Sequence, residues 1–282
     1  MFKEISSENL VKIYEALGRE AKGKVAIKVS TGEPGGHNFL DPQLIKALVQ
    51  NVNGTIVECN TAYGGRRSST AEHLKATEEH GFTSIAPVVI MDAEGETELP
   101  LQGCKHLKHD IVGKAFLDYD FIIVLSHFKG HTMGGFGGAI KNIAIGIASA
   151  NGKRYIHSAG TSTTDWGNPA QDDFLESMAE AAKAIIDHCG ENILYISVAN
   201  NLSVDCDCDS SPESPKMGNI GILASLDLVA LDRACTDLVR SSEDNGKIHL
   251  IERIDSRHGM HTLDYAETLG IGNQKYELVK LD

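Results

Sequence analysis

The stretch FIIVLSHFKGHTMGGFGGAIKNIAIGIAS, residues 121 to 149, decides the fold. Its first five residues, Phe121–Leu125, are apolar without interruption, as expected of a strand buried on both faces of a parallel sheet. A basic, histidine-bearing, glycine-dense segment follows, and then an apolar helix with Phe136, Ile140, Ile143 and Ile147 at helical spacing. Gly134, Gly135, Gly137 and Gly138 let backbone amides come close to a ligand, and the helix they open aims unsatisfied N–H groups at an anion. Lys129, His131 and Lys141 add cationic or proton-transferring side chains, Asn142 adjoins Lys141, and His157 returns just past the helix. The pattern is neither a Walker loop, which needs GK[ST], nor a Rossmann GxGxxG turn.

Strands and helices alternate on either side of this stretch. Strands are expected at Lys24–Ser30, Thr55–Cys59, Pro87–Asp92, Leu194–Ala199 and Ile220–Ala224. Helices are expected after the caps Ser6 or Ser7 and Asp41, and over Thr70–His80, Gln171–Cys189 and Asp227–Val239. C-terminal helices and a final strand near Tyr276–Leu281 complete the chain, and residues 93 to 118 carry no regular pattern. This order predicts an α/β fold: mainly parallel, mixed sheet with helices on both faces. The chain reads as a single domain over residues 1–282, with residue 160 the candidate boundary should it divide into two lobes. The loops richest in Gly, His and Cys (31–41, 60–69, 126–138 and 200–217) each follow a predicted strand, where ligands gather in such folds.

Composition narrows the function classes. With 282 residues, 41% of them apolar, the chain can bury a substantial core. A formal charge of −13 argues against nucleic-acid binding, which relies on clustered Lys and Arg. The locally basic loop instead predicts a small anionic ligand. The absence of a long apolar run predicts no membrane span, and the start MFKEISSENL lacks a signal-peptide core, so a cytoplasmic location is expected, with a homodimer the candidate assembly. Six cysteines in that setting are expected to be thiols or metal ligands rather than disulfides.

Cys206 and Cys208, in VDCDCDSSPESP, give the best metal spacing: two thiolates at i and i+2 on an extended loop face one side. Soft sulfur selects zinc, copper(I), nickel or iron–sulfur. Cys59, at the end of another strand, and His157 are the candidates to complete that set. Asp205, Asp207 and Asp209 would repel a thiolate unless a cation offsets them. Arg66 and Arg67 can reach the same cleft, and His127 can orient the loop. Cys104, Cys189 and Cys235 read as ordinary, Asp227 and Asp232 as a cap and a structural hydrogen-bonding partner, and His258 and His261 as surface residues.

The segments FIIVLSHFKGHTMGGFGGAIKN, DCDCDSSPESPKMGNIGILASLDLVALDRACTDLV and LDYAETLGIGNQKYELV resemble domain-of-unknown-function family 362, whose members are often described as uncharacterised iron–sulfur centre proteins. Many relatives carry a cysteine-rich insert after the equivalent of His157; here that region has no cysteine, so insert-borne clusters are absent. More distantly, GGFGGAIKNIAIGIAS is similar to a motif of nickel-pincer nucleotide lactate racemases. By position that resemblance implies Lys141 as cofactor tether, His157 as nickel ligand and His131 as acid/base. The racemases' arginine-bearing loop after the first strand has no match in STGEPGGHNF.

Together these features predict a metal- or cofactor-binding protein acting by redox or isomerisation chemistry on a small anionic substrate. His131 and Lys141 would be its catalytic groups. Lys129, Asn142 and the four glycines would cradle the cofactor, and Cys206, Cys208, His157 and Cys59 would hold a metal, with Fe–S, Ni and Zn all open. A non-catalytic metal or Fe–S carrier and a metal-free nucleotide- or phosphate-binding protein are the alternatives.

Overall fold

In the computed structural model, which describes residues 1–281, the strand Phe121–His127 (β6) is buried at all seven positions and lies in the interior of a six-stranded sheet. Its neighbours are Val25–Lys28 (β1) and Ile193–Ala199 (β9), both parallel to it. Thr55–Glu58 (β2) and Val88–Ile90 (β3) extend the parallel sheet beyond β1, and Gly221–Ser225 (β10) closes the other edge antiparallel to β9. The predicted mixed, mainly parallel architecture is present.

Alternation along each strand splits the core in two. Phe121, Ile123 and Leu125 join Leu194 and Ile196 beneath Ser7–Ala16 (α1) and Pro42–Asn51 (α2). Ile122 and Val124 join Tyr195 on the opposite face. There they meet Ala139–Ile147 (α4), Gln171–Cys189 (α6), Leu228–Ser241 (α7) and His261–Thr268 (α9). Pro42 occupies the first turn of α2 and Asp41 caps it, so proline's missing N–H costs no helical hydrogen bond there. Thr70–Glu79 (α3), Ala150–His157 (α5) and Lys247–Ser256 (α8) complete the α-helices among the described residues, and no helix there is long and apolar enough to cross a membrane.

Four local expectations are corrected. Residues 93 to 118 contain a hairpin, Glu96–Pro100 (β4) with His109–Gly113 (β5). The predicted final strand at Tyr276–Leu281 is not one. Its chain instead ties to the N-terminus through Met1 N–H to Val279 O at 2.7 Å and Leu281 N–H to Met1 O at 2.9 Å. The glycine-rich segment forms a second hairpin, Lys129–His131 (β7) with Gly135–Gly137 (β8), before α4 begins. His157 is the last residue of α5 rather than a residue past a single helix, because Ala148 breaks the run and Ser149 caps a new helix.

Candidate functional site

The parallel strands β1, β2 and β6 deliver Lys28, Glu58 and His127 to one end of the sheet. The loops after β2 and β9, the β7–β8 hairpin, and helices α4 and α5 surround that end and line a solvent-open cavity of about 400 Å³. Its walls carry five cationic side chains (Lys28, Arg67, Lys129, Lys141 and Lys153) against the carboxylates of Glu58 and Asp207. His127, His131 and His157 face the same space. The cavity therefore has more cationic than acidic side chains, inside a chain of net charge −13.

Most of these cations are already held. Arg67 Nε donates to Glu33 at 2.8 Å, its terminal nitrogens reach the Tyr63 hydroxyl at 3.0 Å and Glu58 at 3.5 Å, and it is buried. Arg66 turns outward to Glu79 and Glu72, so only one of the two adjacent arginines reaches the cleft. Lys28 donates to Asn142 Oδ1 and to Val29 O, each at 3.0 Å. Lys129 pairs with Asp207 at 2.7 Å, and Lys153 donates to the carbonyl of Ala148 at 2.5 Å. Burial outweighs the lowering effects of charge on Cys59, whose thiol is pushed up to about 12 and donates to Ile147 O at 3.1 Å. Glu58 and Asp207 behave oppositely. Burial works against their ionisation, yet the cations and imidazoles beside them hold both carboxyls far below the usual range.

Lys141 differs from the rest. Its ammonium has no hydrogen bond or ion pair among the described residues, and it faces the cavity from the first turn of α4. Loss of water, reinforced by the charges of Lys129 and Lys28, pushes it down to about 7. Near neutrality this amine is half free base, the form that acts as a nucleophile or a proton acceptor.

Of the three cavity imidazoles, His127 has both nitrogens engaged, by Asp207 and Asn200 O, while the other two present opposite faces. His131 Nδ1 accepts the backbone N–H of Gly134 at 2.9 Å and of Met133 at 3.2 Å, which leaves the proton on Nε2. His157 Nδ1–H donates to Lys153 O at 2.6 Å, which leaves a lone pair on Nε2. Burial, with Lys141 nearby, drives His131 well below its usual value and His157 down to about 4. Both rings are therefore neutral at pH 7, His131 as a hydrogen-bond donor and His157 as an acceptor or metal ligand. His157 is fixed further by Phe174, stacked at 4.8 Å, and Trp166, edge-on at 5.0 Å.

The sulfur pair arrives from the loop after β9. Gly130 N–H donates to Ser203 O at 2.8 Å, and a side chain at Gly130 would run into the backbone of Val204, so only glycine lets this loop lie against the hairpin. Cys206 and Cys208 thereby reach His131: both sulfurs and a ring nitrogen lie within 4.8 Å of one another. The expectation of six reduced cysteines is corrected, since Cys206 and Cys208 are joined as a disulfide across a Cα–Cα distance of 5.2 Å. The intervening residue turns away and points inward, where Asp207 receives His127 at 3.0 Å as well as Lys129. Asp205 pairs with Arg253 rather than facing the sulfurs.

Of the residues expected from sequence, His131, Lys141, Lys129, Asn142, Gly137, Gly138, His157, Cys59, Cys206 and Cys208 all line the one cavity. Cys59 and His157 stand outside the close sulfur–imidazole group. Gly134 and Gly135 lie outside the lining. Gly134 serves His131, and Gly135, at φ +80°, packs on the turn after α8. The helix N-terminus is not open to an anion either, because Asp232 accepts the N–H groups of Ala139 at 2.7 Å and Ile140 at 3.0 Å. Sequence reading passed over Lys28, Glu58 and Lys153. The first two carried a signal, a charged residue within an otherwise apolar strand, whereas Lys153 carried none.

Fold and site together define an α/β protein with a cationic, imidazole- and sulfur-lined cleft at the carboxyl ends of its strands. The chain belongs to the family described as Domain of unknown function (DUF362), whose model matches residues 25–237. No curated protein matches. Among solved structures it is similar to the lactate racemase apoprotein from Thermoanaerobacterium thermosaccharolyticum, at 18% identity and a TM-score of 0.49, covering 84% of this chain and 56% of that one. It is also similar to a protein from Thermotoga maritima, at 16% identity and a TM-score of 0.47, covering 83% of this chain and 58% of the other. The chain thus spans less than two thirds of the length of either.

Proposed function

We propose that this protein is a metal- or cofactor-dependent enzyme that carries out isomerisation or redox chemistry on a small anionic substrate in this cavity. The observation that carries the reading is Lys141, an amine near neutrality with no polar partner among the described residues, sharing the cavity with one imidazole free to donate and one free to accept. A structural lysine gains nothing from such placement, since desolvation without a partner is a net cost. Lys28, Arg67, Lys129 and Lys153, with a half-protonated Lys141, outnumber the carboxylates of Glu58 and Asp207 and favour an anion, and at an effective dielectric near 20 each unit charge about 4 Å from it is worth about 4 kcal/mol before desolvation. His131 offers its Nε2–H as a hydrogen-bond donor that polarises the substrate, and Lys141 either anchors the cofactor or accepts a proton.

The resemblance of GGFGGAIKNIAIGIAS implies a nucleotide-borne nickel group, and the residues present fit one: Lys141 offers a free amine and His157 an unprotonated Nε2. When bound, such a group would supply reversible oxidation at a substrate carbon. The missing arginine loop leaves the substrate open, because Arg67, the guanidinium of this cavity, is already taken by Glu33 and Glu58.

A second reading, a carrier of a soft metal, is favoured by one observation, the grouping of Cys206, Cys208 and His131, in which the two sulfurs become thiolate ligands once the Cys206–Cys208 bond is reduced. Anaerobic purification, followed by elemental analysis, visible spectroscopy and intact mass, separates the two. The enzyme reading expects a bound metal or an added mass on Lys141 that Lys141→Ala removes while the circular dichroism spectrum is unchanged. Metal that depends on Cys206 and is indifferent to Lys141→Ala would establish the carrier instead.

A further inference from the structure

Outside the cavity, at the N-terminal end of α6, the chain gathers a second set of metal-ligand chemistry. The geometry points to a binding site for one first-row divalent ion, Zn²⁺, formed by Asp172, His258 and His261. One ligand atom from each lies within 4.8 Å of the others. His258 Nδ1 is 2.7 Å from Asp172 Oδ1, and the two imidazole rings stack with centroids 5.1 Å apart. Ligands around a tetrahedral zinc at about 2.0–2.1 Å stand about 3.3 Å from one another, so closure requires side-chain shifts on the order of 1 Å. His258 is 62% exposed and free to make them.

The second layer is already in place. Glu176 accepts from His261 Nε2 at 3.0 Å, which fixes that ring and leaves Nδ1 for the ion. Two imidazoles and a carboxylate are the donor set of zinc and its neighbours rather than of calcium or magnesium. The adjacent trio of His106, Asp173 and Glu176 is a poorer candidate because it already has its cation. Lys105 Nζ sits 2.8 Å from Glu176 and 3.3 Å from Asp173. No lysine or arginine among the described residues pairs with Asp172, whose hydrogen-bonding partner is His258.

The position gives the ion a consequence. Residues 257–260 form the turn between α8 and α9, and Gly259 of that turn packs against the backbone of Gly134 and Gly135 in the β7–β8 hairpin. Gln171, beside Asp172, donates to both Met133 O and Arg257 O at 2.8 Å. An ion joining Asp172 to His258 and His261 would staple this turn to α6 and so stiffen the hairpin that carries His131.

The inference does not depend on the function proposed above, and its test is arranged accordingly. Metal-free Cys206→Ser/Cys208→Ser protein, which lacks the sulfur pair, is titrated with Co²⁺ and read by visible absorption. One equivalent should bind with the weak bands of nitrogen and oxygen ligation and without sulfur-to-cobalt charge transfer. Zn²⁺ should displace it and raise the melting temperature. Adding His258→Gly, chosen because φ at this position is +51°, should weaken binding by about a hundredfold or more and remove the thermal shift. Undiminished binding in the His258→Gly protein, or no saturable binding in the Cys206→Ser/Cys208→Ser protein, would overturn the site.

Discussion

If Lys141 is half deprotonated at neutral pH, its chemistry separates from that of every exposed lysine. An ordinary lysine has a value of 10.5, whereas Lys141 is pushed down to about 7. At pH 7 half of the Lys141 population is then free amine, against about one part in three thousand for a model side chain, so its reactive fraction is raised roughly a thousandfold. A small anionic aldehyde such as pyridoxal phosphate reports this directly. The amine adds to the aldehyde carbon, water leaves, and cyanoborohydride delivers hydride to fix the adduct for peptide mass mapping. The cationic walls should draw the reagent in. Labelling at Lys141 should follow a titration centred near pH 7 and outpace that at Lys22, whose side chain is 77% exposed, by one to three orders of magnitude, depending on access to the cavity. Labelling of Lys141 that rises only above pH 9, or runs no faster than at Lys22, would refute the argument. The same displacement has a stability sign. Between about pH 7 and 10.5 the unfolded chain binds a proton that the fold does not, so Lys141 makes stability rise with pH across that window. Lys141→Met should flatten that rise and stabilise the protein at neutral pH by on the order of 1 kcal/mol, measured by urea denaturation.

Three further outcomes follow from contacts around the cavity. Gly146→Ala should destabilise the protein by about 1–3 kcal/mol despite alanine's better helix propensity, because the new methyl meets Cε and Nζ of Lys28; thermal denaturation reads this. Asp232→Ala strips the two buried amides of Ala139 and Ile140 of their acceptor and should cost about 2–4 kcal/mol in chemical denaturation, with Asp232→Asn milder. Asp207→Ala leaves Lys129 and His127 buried without their carboxylate and should cost about 3–5 kcal/mol at pH 7. Since the Asp207 carboxyl is held below its unfolded value, the wild-type advantage should be complete above pH 4 to 5 and fade as pH falls further, which guanidinium melts across pH 3–7 measure.

Much of this was legible in the chain itself. An uninterrupted, β-branched apolar run as short as Phe121–Leu125 reads as a strand with both faces covered, and the alternation of such runs with helical periods favours a parallel sheet. Because parallel strands share one carboxyl end, the loops following them must meet, so His131, Lys141, His157 and the Cys206–Cys208 pair converge without any contact being known beforehand. What needed the tertiary structure is which partner each group finds. Nothing local in MGGFGG says that its glycines form a hairpin, or that Asp232, 93 residues further on, takes the helix amides an anion would have used. Tautomers are decided the same way, His131 by the turn that folds back on its Nδ1 and His157 by a carbonyl one helical turn earlier. His258 is the surface residue the sequence suggests and His261 is half-buried, but only the fold shows that α6 sets Asp172 and Glu176 beside them. Periodicity is a property of the chain, and it fixes elements and their order. Hydrogen bonds and desolvation depend on distances between remote segments, so the chemistry of each side chain was settled only by folding.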